Sequence, residues 1–292
     1  MGSDPHSRAA YQSIFRTDLF AGQVIVVTGG GSGIGRCTAH ELTSLGAAVA
    51  LVGRKPEKLV AVAAEIAEDG GKASTHPCDI REEAAVRETV AGILAAHGRI
   101  DGLVNNAGGQ FQAPLADITQ KGWEAVVRTN LTGGFLMARE SYAQWMKQHG
   151  GAIVNMIADM WNGMPGMGHS GAARAGMLNF TETAALEWAP VRVNAVAPGW
   201  IASSGLDHYP AGMRAHIRAL PGKVPLGRLG TESEISAAIV YLLSPAAAFV
   251  SGSCIRIDGA VPNNKRVWDH PRKGATAPFD GFHLATKPKV LE

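Results

Sequence analysis

A single α/β domain with a doubly wound parallel sheet is the fold class that this sequence predicts. Short apolar segments rich in Val and Ile alternate with segments of helical periodicity along most of the chain. The apolar segments show little polar alternation, which is typical of strands buried on both faces. Parallel strands need crossover connections, so we expect helices on both faces of one sheet.

The predicted elements follow one another in regular order. The strands are Val24–Val27, Ala48–Val52, Ala73–Cys78, Gly102–Asn105, Ala152–Met156, Val191–Val196 and Cys254–Ile257. The helices are Gly35–Leu45, Lys58–Glu68, Glu82–His97, Gly122–Leu131, Phe135–Gln148, Ser170–Trp188 and Glu232–Leu243. The sequence shows no repeat of solenoid period and no second domain. We therefore place one domain at residues 19–260.

Two terminal segments flank this domain: an N-terminal extension, residues 1–18, and a C-terminal tail, residues 261–292. The tail contains Pro, Lys and Gly and has no periodicity. It can be disordered, or it can pack on a neighbouring subunit through Trp268, Phe279 and Phe282.

The composition excludes several classes of protein. The chain has 292 residues, of which 46% are hydrophobic and 18% charged, and these values suit a globule with a large core. A net charge of +2 gives no strong attraction to nucleic acid or to a membrane surface. The three cysteines form no C-x-x-C pair, so no disulfide framework or zinc site is predicted. We expect a cytoplasmic protein, because the cytoplasm keeps thiols reduced.

Residues 24–36 run from an apolar strand through a glycine cluster into a helix. The spacing T-G-x-x-x-G-x-G is close to the dinucleotide fingerprint of Rossmann-type domains. Glycine lets the backbone approach an anion, and the helix start offers unpaired amides and a positive dipole end. For the loop on its own, the alternative is an ordinary tight turn. The cofactor-binding candidates in this turn are Gly29, Ser32, Gly33, Ile34, Gly35 and Arg36.

The second strand ends in cations and carries no acid. An NAD site usually has an acidic residue here for the ribose hydroxyls, whereas an NADP site needs cations for the 2′-phosphate. Arg54, Lys55 and the nearby Arg36 therefore favour NADPH (NADP+) over NADH. The alternative is that they are solvated cations at a helix start.

Three later strands also end in residues suited to a cofactor, at the sheet edge that should face it. The carboxylate after the third strand can bind the adenine amino group or cap the next helix. The Asn-Asn-Ala-Gly segment after the fourth strand is poorly explained by turn chemistry alone, and backbone groups after the sixth strand can hold the nicotinamide amide. The candidates here are Asp79, Ile80, Asn106, Ala107, Gly108, Pro198, Gly199 and Ile201.

Taken together, these motifs resemble those of the short-chain dehydrogenase/reductase family over about residues 22–260. The matching residues are Thr28–Gly35, Asp79, Asn105–Gly108, Asn130, Pro198–Gly199 and Ile257–Gly259. Within the family the chain is most similar to peroxisomal trans-2-enoyl-CoA and 2,4-dienoyl-CoA reductases, through segments 105–111, 129–133 and 169–176. The resemblance implies an NADPH-dependent reductase of an acyl-CoA thioester. It also implies a homotetramer built on the helices Phe135–Gln148 and Ser170–Trp188.

The family's Ser-Tyr-Lys triad is not reproduced. In the alignment Ser170 stands at the tyrosine position, Arg174 at the lysine position and Ile157 at the serine position, and the chain contains no Y-x-x-x-K. A spacing of four puts Ser170 and Arg174 on one helix face. Arg174 can donate to the cofactor ribose, as the lysine does, but cannot relay a proton near neutral pH.

Reduction of an activated C=C bond requires hydrogen-bond donors for the thioester oxygen more than it requires a strong acid. The candidate donors are Ser170 and Asn130. Asp159 stands where dienoyl-CoA reductases have a tyrosine; it can be an acid if burial raises its pKa, or only a loop residue. His169 is either a donor or a helix-start residue. Tyr209 lies in the region that the resemblance assigns to the substrate lid, where aromatic side chains more often contact apolar substrate surface.

Two other functions stay open at this point. One is a ketone or alcohol oxidoreductase with a non-standard acid. The other is a nucleotide-binding subunit with weak catalysis, which the missing tyrosine and lysine favour.

Overall fold

The computed structural model describes residues 10–209, 211–263 and 274–291, and the strands in this part of the chain form one parallel sheet. The strands are β1 Val24–Thr28, β2 Ala48–Gly53, β3 Lys72–Pro77, β4 Gly102–Asn105, β5 Ala152–Met156, β6 Arg192–Pro198 and β7 Cys254–Ile257. The α-helices are α1 Gly33–Ser44, α2 Pro56–Glu68, α3 Glu83–His97, α4 Gln120–Val127, α5 Gly133–Ser141, α6 Lys147–His149, α7 Gly168–Glu187, α8 Arg214–Ala219 and α9 Glu232–Leu243.

The strand order is β3-β2-β1-β4-β5-β6-β7, and every neighbouring pair is parallel. The first strand, β1, lies inside the sheet. Strands β2 and β3 are added on one side of it and β4 to β7 on the other, so the strand order reverses between β1 and β4. In such sheets the ligand crevice lies outside the carboxyl ends of the strands at this reversal. The predicted doubly wound fold is confirmed, and strands β1, β4 and β5 are buried along their whole length.

A hydrophobic core lies on each face of the sheet. One contains Leu42 of α1 and Ile239 of α9, and the other contains Ile93 of α3 and Met137 of α5. This arrangement confirms the predicted helices on both faces. In the described residues, the helices lack the combination of length and apolar character that crossing a membrane requires.

The two helices predicted at Gly122–Leu131 and Phe135–Gln148 are joined in the structure. A π-helical turn at Arg128–Thr132 carries α4 directly into α5, and a second one at Tyr142–Met146 carries α5 into α6. Gly134 lies inside this helix, where a Cβ would be only 2.6 Å from Cε of Met177 on α7. The glycine therefore serves close helix packing, and the chain does not break there.

The described terminal segments pack on the body of their own chain. The Tyr11 hydroxyl donates to Oε2 of buried Glu41 on α1 (3.0 Å), and the Gln12 amide donates to the Gly281 carbonyl (2.9 Å). Phe282 is buried against Tyr11, with ring centroids 5.9 Å apart. Residues 274–291 thus pack on their own domain, where Phe282 is buried by residues of the same chain. Trp268 lies outside the described residues.

Candidate active site

The glycine turn between β1 and α1 forms a narrow cradle at the carboxyl edge of the sheet. Gly29 has a φ of +67°, and a Cβ on it would lie 2.9 Å from Nδ2 of Asn106. A Cβ on Gly35 would overlap that same amide and the Gly29 carbonyl. Glycine is therefore required at both positions, and the space that the missing side chains leave fits a closely approaching pyrophosphate.

The start of α1 provides the donors for such an anion. Ser32 precedes the helix with an extended backbone, and its hydroxyl caps no amide of the first turn. The first hydrogen bond of the helix runs from the Arg36 amide to the Ser32 carbonyl (3.2 Å), so the amides of Gly33 and Ile34 have no acceptor within the helix. These amides and the helix dipole suit a phosphate group.

The loop after β4 is fastened to this turn. Oγ1 of Thr28 accepts from the amides of Asn106 (3.0 Å) and Ala107 (2.9 Å), and Nδ2 of Asn106 donates to the Thr28 carbonyl (3.0 Å). Asn105 points into the protein instead and donates to Oδ1 of Asn155 (2.9 Å). Asn106 and Ala107 thus hold the cradle in shape.

The cations expected near the ribose divide into two groups. Arg36 donates from Nε to Oε2 of Glu65 (2.7 Å) and from Nη1 to the Leu284 carbonyl (3.3 Å), so its guanidinium is held by α2 and the tail. The guanidinium expected at the 2′-phosphate is thus engaged by a carboxylate and a backbone carbonyl of its own chain. Arg54 and Lys55 are exposed after β2 and make no side-chain hydrogen bond with another described residue.

Asp79 and Ile80 follow β3. The Asp79 carboxylate accepts from Nε of Arg81 (2.8 Å), and this guanidinium holds the pKa of Asp79 below its usual range. The N-cap of α3 is Glu82, so the alternative that Asp79 caps this helix is wrong. Ile80 is buried against Gly133, whose Cβ, if present, would lie 2.7 Å from Cδ1 of Ile80.

The loop after β6 packs tightly on the end of β7. A Cβ on Gly199 would lie 2.7 Å from Cα of Asp258, which explains the glycine that follows Pro198. Ile201 is buried and forms an isolated parallel bridge with Gly230. The backbone of this loop is therefore fixed at the edge where β1, β4 and β5 also end.

The guanidinium of Arg174, on α7, is a buried cation in the site. Its Nη1 donates to the Met156 carbonyl at 2.5 Å, and its buried Nε has no partner among the described residues. Burial lowers the pKa of Arg174 to about 10. No ion pair of Arg174 with a described carboxylate is present, so its charge is buried without a counter-ion among these residues, next to Gly108 of the loop after β4.

Ser170 and His169 lie in the first turn of α7 and are both fully buried. Nδ1 of His169 accepts from the Ser170 amide (2.8 Å), so a neutral ring carries its proton on Nε2, which has no partner among the described residues. His169 therefore satisfies a helix-start amide and also presents a buried donor. Oγ of Ser170 donates to Oε1 of Gln110 (2.8 Å).

Asn130 lies in the π-helical turn and binds the loop after β4 with both ends of its amide. Oδ1 accepts from the Gly109 amide (2.9 Å), and Nδ2 donates to the Gly109 carbonyl (2.9 Å). Both ends of the Asn130 amide thus hold Gly109 in place, and its role as a direct donor to the substrate stays a prediction. A π-helical turn at a functional site is a common device for placing such a side chain.

Asp159 follows β5. Its Oδ1 is buried without a partner among the described residues, and burial raises the pKa of the carboxyl group. The neighbouring Asp258 raises this pKa further, while Arg256 opposes the shift; these two residues pair at 2.9 Å. The condition set for an acid, a pKa raised by burial, is met at Asp159.

These features define a class of protein: a doubly wound domain with a dinucleotide cradle and a cluster of buried polar side chains beside it. A family model described as enoyl-(acyl carrier protein) reductase matches residues 29–261. A probable 2,4-dienoyl-CoA reductase of Bacillus subtilis is 37% identical over 243 residues, which are 81% of this chain and 95% of that protein. A 3-oxoacyl-[acyl-carrier-protein] reductase of Thermotoga maritima is 34% identical over 243 residues, covering 82% and 98%.

Among solved structures, a citronellol catabolism dehydrogenase of Pseudomonas aeruginosa is similar with a TM-score of 0.78 and 65% identity. The match covers 86% of this chain and 100% of that one. The chain belongs to the short-chain dehydrogenase/reductase family and is an oxidoreductase.

Two site residues escaped the sequence reasoning. Gln110 contacts Ser170 across 60 positions of sequence, although it lies in the segment 105–111 that carried the resemblance. Glu232 begins α9, and its Oε1 would lie 3.8 Å from a Cβ on Gly33 in the cradle. A glutamate in a helix first turn is so common that nothing in the sequence marks this one.

Proposed function

We propose that this chain is an NADPH-dependent reductase of the C=C bond of an enoyl- or dienoyl-CoA thioester. The observation that carries the proposal is the buried guanidinium of Arg174, which has no ion pair with a described carboxylate and lies one helical turn from Ser170. A cation fixed beside the site can donate to the nicotinamide ribose, and its charge also favours negative charge that develops on a nearby thioester oxygen. It suits the protonation of a ketone less well, because arginine keeps its proton.

Each group of the site has a part in this proposal. The amides of the Ser32–Gly35 turn hold the pyrophosphate, and Arg54 and Lys55 hold the 2′-phosphate. NADPH supplies the hydride when it is bound. Arg174 donates to the nicotinamide ribose, while Asn130 fixes the loop at Gly109.

Two buried side chains are the candidate acids of the site. His169 presents Nε2–H, and Asp159 presents a carboxyl group whose pKa is raised by burial. Either can donate to a developing enolate oxygen, and the carbon can then take its proton from water. This division of work needs no tyrosine on α7.

The proposed assembly is a homotetramer of D₂ symmetry through α5 and α7. Phe135 and Phe180 are half-buried in edge-to-face contact, with ring centroids 5.7 Å apart, and Leu186 on α7 is 83% exposed. A partner helix covering this face would bury apolar surface that the single chain leaves in water. Cys37, Cys78 and Cys254 are unpaired thiols. This state is expected in a reducing cytoplasm, the proposed location.

A second candidate function is oxidation or reduction at an alcohol or carbonyl carbon. It is favoured by the 65% identity to a protein whose title describes a citronellol catabolism dehydrogenase. Citronellol is a branched isoprenoid alcohol. The same identity makes branched thioesters the acyl-CoA substrates to try first under the main proposal.

One panel separates these functions. The chain is incubated with NADPH or NADH and straight or branched enoyl-CoA, 2,4-dienoyl-CoA and ketone substrates, and with NADP+ or NAD+ and alcohols, while the nicotinamide absorbance is followed. Turnover of an enoyl- or dienoyl-CoA supports the main proposal. Turnover confined to alcohols and ketones supports the second, and cofactor binding without any turnover supports a catalytically weak nucleotide-binding subunit.

A further inference from the structure

A glutamine amide joins the helix of the catalytic candidates to the segment after β6. Oε1 of Gln110 accepts from Oγ of Ser170 (2.8 Å), and Nε2 of Gln110 donates to Oη of Tyr209 (3.2 Å). Ser170 is fully buried, whereas Tyr209 is half-buried. The amide therefore bridges two hydroxyl groups that come from different parts of the chain.

The chemistry of the amide fixes which hydrogen is used. An amide oxygen only accepts and an amide nitrogen only donates. The Ser170 hydrogen is thus directed into Gln110, while the Tyr209 hydroxyl receives a hydrogen and keeps its own. Among the described residues, the hydroxyl hydrogen of Tyr209 therefore has no acceptor, whereas that of Ser170 is bound to Gln110.

The ring of Tyr209 is supported by a small hydrophobic core. It packs with Trp200, at a ring-centroid distance of 6.5 Å, on a small core that includes Leu206. The Asp207 carboxylate accepts from the backbone amide of Val290 (3.0 Å), and Val290 is buried in the same core. The ring thus has a fixed support.

We propose that Tyr209, oriented by Gln110, gives a hydrogen bond to the acceptor oxygen of the bound substrate. Gln110 is then a positioning residue and Ser170 orients its amide. The inference rests on the proposed function, because a thioester oxygen gains negative charge when a conjugated C=C bond is reduced. A phenol is a stronger hydrogen-bond donor than an alcohol, which makes Tyr209 the better of the two groups for this task.

The test compares Tyr209→Phe, Gln110→Glu and Ser170→Ala, with Tyr142→Phe as matched control. Tyr142 stacks on Trp188 at 4.6 Å, and its hydroxyl makes no hydrogen bond with a described residue. Two readouts are used: kcat and KM on the thioester that the wild type reduces, and the enolate absorbance of bound acetoacetyl-CoA. The second is recorded with oxidised cofactor, so that no reduction occurs.

We expect Tyr209→Phe to lower kcat roughly 10- to 100-fold with little change in KM, and to reduce the enolate absorbance; one oxyanion donor is worth about 10²–10³-fold in a well-studied hydrolase. Gln110→Glu should cause a similar loss, because both carboxylate oxygens accept and draw the Tyr209 hydrogen inward. Adding Tyr209→Phe to Gln110→Glu should then cost little more. Ser170→Ala should lose less than either single variant.

Wild-type kcat and enolate absorbance in Tyr209→Phe would overturn the inference. So would a larger loss in Ser170→Ala, since that result means that the amide has the opposite orientation and leaves the serine hydrogen free. If the wild type reduces only ketones, the proposed function is wrong, and the same kcat comparison on the ketone decides the role of Tyr209. A wild type that binds no thioester and acts on no carbonyl or alcohol overturns both.

Discussion

Gly108 and Arg174 adjoin so closely that a Cβ on Gly108 would lie 2.5 Å from Nη2 of Arg174. The loop after β4 and the helix α7 therefore share a surface in which the glycine leaves room for the guanidinium. The same missing side chain would lie 3.0 Å from Oδ1 of Asn130. This contact makes the position of the buried cation sensitive to a single methyl group.

Gly108→Ala should displace the Arg174 guanidinium and weaken the binding of NADPH, because no real Cβ tolerates that distance. Gly109→Ala is the matched control, since a Cβ at Gly109 meets no atom within 4 Å. Cofactor titrations followed by nicotinamide fluorescence measure both. Equal affinity in the two variants would contradict the proposed contact of Arg174 with the cofactor.

Arg54→Ala should weaken NADPH far more than NADH, because only NADPH carries the 2′-phosphate. Arg36→Ala serves as the contrast: its guanidinium is bound to Glu65 and the Leu284 carbonyl, so its loss should lower the Tm and leave the preference between the cofactors unchanged. Titrations with both cofactors and thermal melts separate the two effects. A parallel loss of NADH and NADPH binding in Arg54→Ala would reject its assignment.

We expect Glu232 to make both the stability and the cofactor affinity of the protein depend on pH. Burial raises its pKa from 4.5 to about 7, an effect opposed by Arg36 and supported by Asp280. The folded protein therefore binds more protons than the unfolded chain between these values, and the stability that Glu232 contributes is lost as the pH rises through this window. An ionised Glu232 beside the cradle should also repel a pyrophosphate.

Glu232→Gln should remove both effects. We expect the variant to gain Tm relative to wild type on going from pH 5.5 to pH 8.5, by the equivalent of about 2 kcal/mol at most, and its NADPH affinity to fall less over the same range. Glu57→Gln, at an exposed position of α2, is the control. Wild-type and variant curves that stay parallel would show that Glu232 titrates normally.

Val290→Asp should loosen the segment that carries Tyr209, because Val290 is buried against Leu206 and its carbonyl accepts from Nε of Arg218 (2.8 Å). We expect faster limited proteolysis within residues 204–220 and a lower kcat, with NADPH affinity retained. Lys287→Asp, at an exposed position of the tail, is the control for added charge. Unchanged proteolysis in Val290→Asp would refute a supporting role of the tail.

The proposed homotetramer predicts a light-scattering mass four times the 30.5 kDa of the chain at micromolar concentration. Leu186→Glu should shift the mass toward smaller species, because this side chain is 83% exposed on α7 and a tetramer would bury it. A wild-type mass of one chain would reject the assembly.

The order and type of the core elements could be read from the sequence because periodicity reports burial along one segment. The alternation of strands and helices follows from this, as does the strand–glycine–helix turn at Gly29–Gly35, where backbone constraints act locally. Two features could not be predicted in this way. The short helices after β6, such as α8, lack a long periodic face. The continuous helix from α4 into α5 depends on the close packing of α7 against Gly134, which is a contact between distant segments.

By itself, then, the sequence determined the doubly wound domain, the dinucleotide cradle and the replacement of tyrosine and lysine by Ser170 and Arg174. Only the tertiary structure decided which partners the polar groups have. Arg36 turned to Glu65, 29 positions away, and Gln110 reached Tyr209, 99 positions away. A local sequence pattern cannot predict such long-range contacts, because they depend on where separate elements lie once both faces of the sheet are buried.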